Sequence, residues 1–330
     1  MEDQVAPLFE PADIKTAFDP DARIVVYQGD CLDFLRSVPD CSIQLVITSP
    51  PYNLGKEYET RQGLSEYLEW QRCVIVECHR VLKDEGSICW QVGNFVHKGS
   101  IVPLDVVLYP IFDGLGMKMR NRVVWHFEHG LHSTRRLSGR YETINWFTKS
   151  DDYYFDVDPI RVPQKYPGKR HFKGPHAGQY SSNPLGKNPG DVWIFPNVKS
   201  NHVEKTEHPC QFPIELVERL VLSMTREEDW VLDPFLGVGS TVIAAYRHNR
   251  RGAGSEILHR YAAIARERIQ QAVSGNLRVR PMNTPVFDPR DAGSSLTSAP
   301  WLNKTAAEGD AHPHQQLLLE RPRRYKAPRG

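Results

Sequence analysis

The chain has 330 residues, of which 40% are hydrophobic, which is enough for one large α/β domain or two small ones around a sizeable core. A formal net charge of +1 at pH 7 excludes a uniformly polycationic protein but leaves room for local basic surfaces. Because the chain has no run of about 18 apolar residues and its acidic N-terminus lacks an apolar secretory core, we predict a cytoplasmic protein.

The first half of the chain alternates between strand and helix patterns. Two Val/Ile-rich runs, at 23–30 and 42–49, predict strands that are covered on both faces. Periodicity then predicts a helix, a strand, a helix and two strands, in the order 64–83, 86–93, 103–116, 122–127 and 145–149. Pro110 is expected to interrupt the second helix.

Residues 156–206 differ in character from the rest of the chain. Pro, Gly, Asn, Lys and His dominate, and regular periodicity is lost. Between 161 and 205, eight Lys or Arg residues stand against two Asp or Glu. This composition predicts a loop-rich basic insert.

Regular patterns return after the insert. They predict a helix, a strand, a Gly-rich turn that opens a helix, a short strand and a last helix, in the order 212–225, 229–235, 237–250, 252–257 and 259–273. After about residue 275, a Pro-, Ser- and charge-rich composition predicts a mostly disordered tail.

This order of elements indicates the fold class. Strands that alternate with helices predict an α/β protein with a doubly wound, mostly parallel sheet. Ligands of such sheets bind beyond the carboxyl ends of the strands. Asp30, Ser49 and Asp233 all fall at predicted ends of this kind.

The stretch LDPFLGVGSTVIAA, 232–245, has the pattern of a strand, a tight turn and a helix. Gly237 and Gly239 can supply positive φ angles and let a ligand approach the backbone. The turn lacks the Lys of a Walker loop and the third glycine of a dinucleotide fingerprint. Glu256, at the end of the next strand, can accept hydrogen bonds from ribose hydroxyls. Together these features predict a nucleoside ligand with little phosphate.

Two stretches resemble the signatures of the amino-group DNA methyltransferases that use S-adenosylmethionine. They are Ser49-Pro50-Pro51-Tyr52 and Asp233-Pro234-Phe235-Leu236-Gly237-Val238-Gly239. The tetrapeptide precedes the Gly-rich turn, as in the circularly permuted class called β. The segments QGDCLDFL (28–35) and HPCQFP (208–213) also resemble cofactor segments of that class, and the resemblance covers about residues 22–272.

The resemblance implies a Rossmann-like methyltransferase fold, circularly permuted, that binds S-adenosylmethionine. It implies ten cofactor-binding residues: Asp30, Cys31, Phe212, Asp233, Phe235, Gly237, Gly239, Ser240, Thr241 and Glu256. It also implies five parts, namely an N-terminal extension (1–21), the catalytic half (22–155), a target-recognition insert (156–206), the cofactor-binding half (207–272) and a disordered tail (273–330).

The tetrapeptide has the groups that this chemistry needs. The exocyclic amine of a base is a weak nucleophile because its lone pair is delocalised into the ring. The Ser49 hydroxyl and the Pro50 carbonyl are the predicted acceptors for its two N–H groups, and Pro50 and Pro51 hold them rigidly. Tyr52 is expected to stack on the target base, which must be flipped out of the duplex. Direct in-line transfer then requires no metal and no covalent enzyme intermediate.

The basic insert is expected to contact DNA. Its candidate phosphate contacts are Lys165, Lys169, Arg170, Lys173 and Lys187. We therefore predict double-stranded DNA as the partner.

Several alternatives stay open at this point. Serine at the first tetrapeptide position favours cytosine N4 as the methyl acceptor, whereas Asn53, in the continuation PPYN, keeps adenine N6 open. A non-catalytic DNA-binding protein of the same fold and an RNA methyltransferase are further alternatives. The protein is expected to be a monomer or homodimer of bacterial or phage type, with a possible cognate restriction endonuclease.

The six cysteines show no CxxC pair and no zinc-ligand spacing, which favours reduced, mostly buried thiols and no metal site. Pro209-Cys210-Gln211 looks like the nucleophile motif of the cytosine C5 methyltransferases. It precedes the Gly-rich turn, however, whereas in that family the motif follows it. We therefore interpret Cys210 as incidental.

Overall fold

The computed structural model describes residues 13–55, 57, 62–97, 99–127, 130, 132–199 and 201–286. The chain divides into two compact units, Met1–Thr284 and Pro285–Gly330, and the described helices and strands all lie in the first. Most of the predicted tail therefore lies outside the described residues. No helix in the described ranges is long and apolar enough to cross a membrane.

Strands and helices alternate along the chain, as the sequence predicts. The strands are β1 (Ile14–Lys15), β2 (Ile24–Gln28), β3 (Ile43–Thr48), β4 (Leu82–Val92), β5 (Asn94–His97), β6 (Ser100–Pro103), β7 (Lys118–His126), β8 (Tyr141–Thr148), β9 (Val192–Ile194), β10 (Trp230–Asp233) and β11 (Arg251–Glu256). The helices are α1 (Cys31–Ser37), α2 (Leu64–Val81), α3 (Leu104–Gly114), α4 (Ile214–Met224), α5 (Ser240–Arg247) and α6 (His259–Val273), with a 3₁₀ turn at Asp158–Ile160.

Nine of these strands form one twisted sheet in the order β1-β2-β11-β10-β3-β4-β8-β7-β9, and β5 and β6 pair separately. The neighbours from β1 through β4 are parallel. β8 is antiparallel to both β4 and β7, and β9 is parallel to β7. The prediction of a mostly parallel α/β sheet is confirmed.

Both faces of the sheet are covered, which explains why its central strands β2, β3 and β10 are mostly apolar. In β3, Val46 joins the core cluster that contains Phe34 of α1 and Phe112 of α3. Leu45, its neighbour in the chain, points to the other face and joins Ile243 of α5. Helices α1 to α3 therefore cover one face and α4 to α6 the other, which is the doubly wound arrangement.

Two local expectations differ from the structure. The predicted interruption at Pro110 is wrong, because α3 continues through this residue to Gly114. Pro110 would leave the carbonyl of Val106 unpaired, and Val106 is exposed to water, which limits the cost. Beyond α6, the compact unit extends past the predicted boundary at 272, since the Arg280 N–H donates to Glu204 Oε1 (3.2 Å).

The carboxyl ends of β10 and β3 form the switch point of the sheet. From β10 the chain proceeds through α5 to β11 on one side, and from β3 through α2 to β4 on the other. The fully buried carboxylate of Asp233 spans this point. Its Oδ1 accepts from Thr48 Oγ1 (2.6 Å) and from the Phe235 N–H (3.0 Å), and its Oδ2 accepts from Thr241 Oγ1 (2.7 Å). One side chain therefore ties β3, the Gly-rich turn and α5 together.

Because Thr48 donates to the buried Asp233 carboxylate, we expect the variant Thr48→Val to be less stable than the parent protein. The variant keeps the shape of the side chain but removes a donor from a buried carboxylate, so the free energy of unfolding should fall by about 1 to 3 kcal/mol. Urea unfolding monitored by circular dichroism measures the change.

The matched control is Thr284→Val, since Thr284 is exposed and its hydroxyl donates to the Pro281 carbonyl. It should change the free energy of unfolding by less than about 0.5 kcal/mol. A Thr48→Val protein as stable as the parent protein would contradict the tie.

Candidate active site at the switch point

A cavity of about 320 Å³ lies at the carboxyl ends of β3 and β10. It brings together two groups of residues that are far apart in the sequence. Among the predicted site residues, those that line it are Asp30, Cys31, Ser49, Pro50, Pro51, Tyr52, Phe212, Phe235, Gly237, Ser240 and Glu256. Asp233, Gly239 and Thr241, also predicted, do not line it and lie behind the turn, where Asp233 bonds Thr48 and Thr241.

The Gly-rich turn has the backbone that its glycines suggest. Gly237 and Gly239 have φ angles of 55° and 88°, in the left-handed region that side chains disfavour. A Cβ at Gly239 would lie 3.3 Å from the Ala265 Cβ, so close packing against α6 also favours glycine there. Gly239 caps α5, and the buried Ser240 Oγ that follows has no hydrogen-bond partner among the described residues. The turn thus presents a helix N-terminus and an unpaired hydroxyl beside the cavity.

Glu256 lies at the end of β11, on the cavity wall. Its Oε2 accepts from the Gly237 N–H (3.0 Å) and its Oε1 from the Leu258 N–H (2.8 Å). Burial raises the pKa of this carboxyl to about 7, and the charge of Asp233 adds to the shift. Ligand hydroxyl groups that donate to the carboxylate would favour its ionised form.

Asp30 and Cys31 stand at the end of β2, where α1 begins. The Asp30 carboxylate caps that helix by accepting from the Leu32 N–H at 2.8 Å. Burial raises the pKa of the Cys31 thiol to about 12, so this thiol stays protonated and is not a nucleophile. Both residues line the cavity, and neither is a reacting group.

The cavity, the Gly-rich turn and the Glu256 carboxyl together fit a cofactor that contains a nucleoside. The volume lies in the range of small-molecule sites, two left-handed glycines give access to the backbone, and an unpaired Ser240 hydroxyl and the Glu256 carboxylate face the same space. None of the described residues that line the cavity is a lysine, which a phosphate-rich ligand would favour.

The hydroxyl of Tyr52, the last residue of the tetrapeptide, is the centre of a hydrogen-bond network. This hydroxyl lies 3.1 Å from Ser49 Oγ, donates to Glu142 Oε2 (3.1 Å) and accepts from Gln91 Nε2 (3.0 Å). Gln91 also donates to Glu142. Burial raises the pKa of Tyr52 well above its usual value and that of Glu142 to about 7. Ser49 is therefore connected to a titratable acid through one side chain.

The two proline carbonyls have different partners. The Pro51 carbonyl accepts from the Tyr67 hydroxyl at 2.9 Å, which fixes the turn against α2. The Pro50 carbonyl has no hydrogen-bond donor among the described residues, although Pro50 is buried. It is therefore available to a ligand, as its predicted role requires.

Sequence reasoning missed Gln91 and Glu142. Gln91 is near the end of β4, and Glu142 is near the start of β8, which runs antiparallel to it. Antiparallel pairing brings these two ends to the same edge of the sheet. Polar residues at these positions in otherwise apolar strands were the available signal, but the pairing itself is not visible in the sequence.

Asn53 has a structural role in this arrangement. Its φ angle is 59°, and its amide donates to the Gln62 carbonyl (2.8 Å) and accepts from the Gln62 N–H (2.7 Å). These bonds hold the two ends of the following loop together. The side chain is thus engaged with the loop.

The predicted phosphate contacts of the basic insert do not line the cavity. All five predicted phosphate contacts are exposed and none lines the cavity: Lys165, Lys169, Arg170, Lys173 and Lys187. β9, which is part of the insert, is four strands from β3 in the sheet, or roughly 19 Å at about 4.8 Å per strand. Within the insert, the Arg170 guanidinium lies 4.0 Å from the Tyr180 ring centre.

The cysteines are free thiols, as predicted, but only Cys31, Cys78 and Cys89 are buried. Cys210 is exposed and lines the cavity.

Comparison with known proteins agrees with this geometry. A DNA methylase family, N6/N4 Mtase, matches residues 43–267. The type II methyltransferase M.BglII of Bacillus subtilis is 44% identical over 97% of this chain and 91% of its own. The cytosine-N4-specific PvuII DNA methyltransferase has the same fold, with a TM-score of 0.60, 23% identity, and coverage of 76% of this chain and 92% of its own.

A putative DNA modification methylase of Thermus thermophilus, solved in complex with S-adenosyl-L-methionine, is also similar. Its TM-score is 0.55 at 28% identity, over 76% of this chain and 96% of its own. The predicted enzyme class and cofactor are thereby confirmed, and the alternative of a non-catalytic binder is set aside. The chain belongs to the N6/N4 family of DNA methylases, and S-adenosylmethionine is its methyl donor.

Proposed function

We propose that this DNA methyltransferase methylates the N4 amine of cytosines flipped out of duplex DNA, with the adenine N6 amine as the alternative. The observation that carries the proposal is the pair of acceptors at the cavity, the Ser49 hydroxyl and the unpaired Pro50 carbonyl, beside the Gly-rich turn. Serine at position 49 favours cytosine, whereas the continuation PPYN keeps adenine as the alternative.

On the cofactor side, Glu256 would hold the ribose hydroxyls, while Gly237 and Ser240 would line the adjoining space. Phe235 and Phe212 supply apolar wall on the same side. When bound, S-adenosylmethionine supplies a methyl group on a positively charged sulfur, which a weak nucleophile can attack. The walls contributed by Asp30 and Cys31 help to exclude water from this part of the cavity.

On the base side, Ser49 and Pro50 would each accept one N–H of the target amine. Two fixed acceptors favour the pyramidal amine whose lone pair is free to react, and a rigid Pro-Pro turn needs no reorganisation to provide them. Tyr52 would stack on the base. Its hydroxyl is held by Gln91 and Glu142, so the ring orientation is set before the base arrives.

Glu142 has a positioning role in this proposal. Its hydrogen bond from Tyr52 leaves the tyrosine oxygen as a stronger acceptor towards Ser49, and this in turn strengthens Ser49 as an acceptor for the amine. The pKa of Glu142, about 7, places its ionisation near neutral pH. Methylation should therefore be favoured above that pH, where the carboxylate is charged.

Duplex DNA would lie across the cavity and reach the basic insert. The exposed Lys and Arg residues of the insert suit phosphates. The insert's own strand β9 lies about 19 Å from β3, at about 4.8 Å per strand, which is a span that one duplex can cover. M.BglII is a type II methyltransferase, which supports a cognate restriction endonuclease for this chain as well. A cytoplasmic monomer or homodimer fits this role.

The test of the proposed acceptor is nucleoside mass spectrometry. Mixed-sequence duplex DNA is incubated with the protein and S-adenosylmethionine, digested and analysed. N4-methylcytosine is the expected product. N6-methyladenine would keep the two-acceptor mechanism and overturn the choice of base, and methylation of RNA alone would overturn the duplex substrate.

Removal of the Ser49 hydroxyl should separate turnover from cofactor binding. We expect Ser49→Ala to lower kcat by about a hundredfold, because one of the two fixed acceptors is lost. The dissociation constant of S-adenosylmethionine, measured by calorimetry, should stay within about threefold of the parent value.

Ser274→Ala serves as the control, since Ser274 is exposed after α6 and away from the cavity. It should leave both quantities unchanged. Full activity in Ser49→Ala would overturn the assignment of Ser49.

Cofactor affinity should depend on pH through Glu256. Burial raises the pKa of this carboxyl to about 7, so below that pH it is mostly neutral and accepts poorly from ribose hydroxyls. The dissociation constant should therefore rise as pH falls below about 7, by up to roughly tenfold per pH unit. Calorimetric titration of S-adenosylmethionine at several pH values measures this dependence.

Glu256→Gln is the matched variant, because it keeps the shape of the side chain and cannot ionise. It should bind more weakly and lose this part of the pH dependence. If Glu256→Gln kept the same pH profile as the parent protein, Glu256 would not be the titrating group.

A further inference from the structure

We propose that the tip of the loop between β7 and β8, Arg135-Arg136-Leu137, enters the duplex and fills the space that the flipped base leaves. The inference rests on the proposed duplex DNA substrate and deepens it. The partner is the base stack next to the target, together with the phosphates on either side.

Leu137 is unusually exposed for a large apolar side chain. It is 94% exposed, a value matched among the described residues only by Phe172 of the basic insert, at 96%. A single exposed leucine is common on protein surfaces and by itself indicates nothing. Its position and its neighbours distinguish Leu137.

The loop rises from the edge of the sheet that holds the active site. It continues into β8, where Glu142 accepts the hydrogen bond of the Tyr52 hydroxyl at 3.1 Å. Leu137 precedes Glu142 by five residues, which even fully extended span at most roughly 17 Å. Phe172, in contrast, belongs to the basic insert and is 30 residues from Glu142 in the chain.

The tip is held in a defined turn. The Ser133 N–H donates to the Ser138 Oγ (3.0 Å), which closes the turn that carries Arg135 to Leu137. At the base of the loop, the Phe127 N–H donates to the Arg140 carbonyl (2.9 Å). A side chain presented on a closed turn loses less entropy on insertion than one on an open loop.

The neighbouring charges favour DNA as the partner. Neither the Arg135 nor the Arg136 guanidinium has a hydrogen-bond or ion-pair partner within the described part of the chain. Two unpaired cations beside one apolar side chain suit the phosphates that flank a base step. Apolar side chains inserted at such steps replace the stacking that is lost when DNA is distorted.

The test uses two duplexes that differ in the cost of base flipping. One carries the methylation site fully paired, and in the other the target base is mismatched, which makes it easier to extrude. Single-turnover methylation rates are measured for the parent protein, Leu137→Ala, Leu137→Met and Phe172→Ala. S-adenosylmethionine affinity is measured for each variant as a check of the fold.

On the paired duplex, Leu137→Ala should be slower than the parent by about tenfold or more, and on the mismatched duplex by less than about threefold. Leu137→Met, which still fills space, should stay near the parent on both. Any loss in Phe172→Ala should be the same on both duplexes. The inference is overturned if Leu137→Ala methylates the paired duplex at the parent rate, or if it is slowed equally on both. If duplex DNA were not the substrate, the parent protein itself would methylate neither duplex.

Discussion

A single buried carboxylate, that of Asp233, holds the two halves of the active site in register. It accepts hydrogen bonds from Thr48, from Thr241 and from the backbone of Phe235, so it joins the strand before the tetrapeptide to the Gly-rich turn. Burial raises its pKa to about 6, which shows that the charge is costly and that these donors are needed to keep it. Strands distant in sequence become neighbours here, and the chemistry depends on that alignment.

The carboxyl edge of the sheet, next to Asp233, carries two further acids. Burial raises the pKa of both Glu142, beside Tyr52, and Glu256, beside the Gly-rich turn, to about 7. Each carboxyl is thus poised to change charge near neutral pH, as is common where catalysis needs preorganised acceptors. In the proposed function the two act on different partners, Glu142 through Tyr52 and Glu256 on the cofactor, so their effects on turnover and on cofactor affinity can be separated.

Much of the fold could be predicted from sequence, because the central parallel strands are mostly apolar. The residues that line the cavity could be predicted because the two motifs require particular residue types in a fixed order. What could not be predicted depended on pairing in space. Gln91 and Glu142 meet only because β4 and β8 are antiparallel, and Asp233 faces Thr48 only because β10 and β3 are neighbours. Asn53 ties the ends of a loop, and its partner Gln62 could not be identified from the sequence. Pro110 was expected to break a helix, yet an exposed turn tolerates it.

The most direct test of the alignment is to measure both kcat and the dissociation constant of S-adenosylmethionine for Thr48→Val. The account predicts that kcat falls by about tenfold or more, because Ser49 is displaced relative to the cofactor. Cofactor affinity should change by less than about threefold, since Thr241 and the Phe235 backbone still hold the turn. Turnover equal to that of the parent protein, or a loss of affinity with unchanged turnover, would show that the Asp233 tie does not align the two halves.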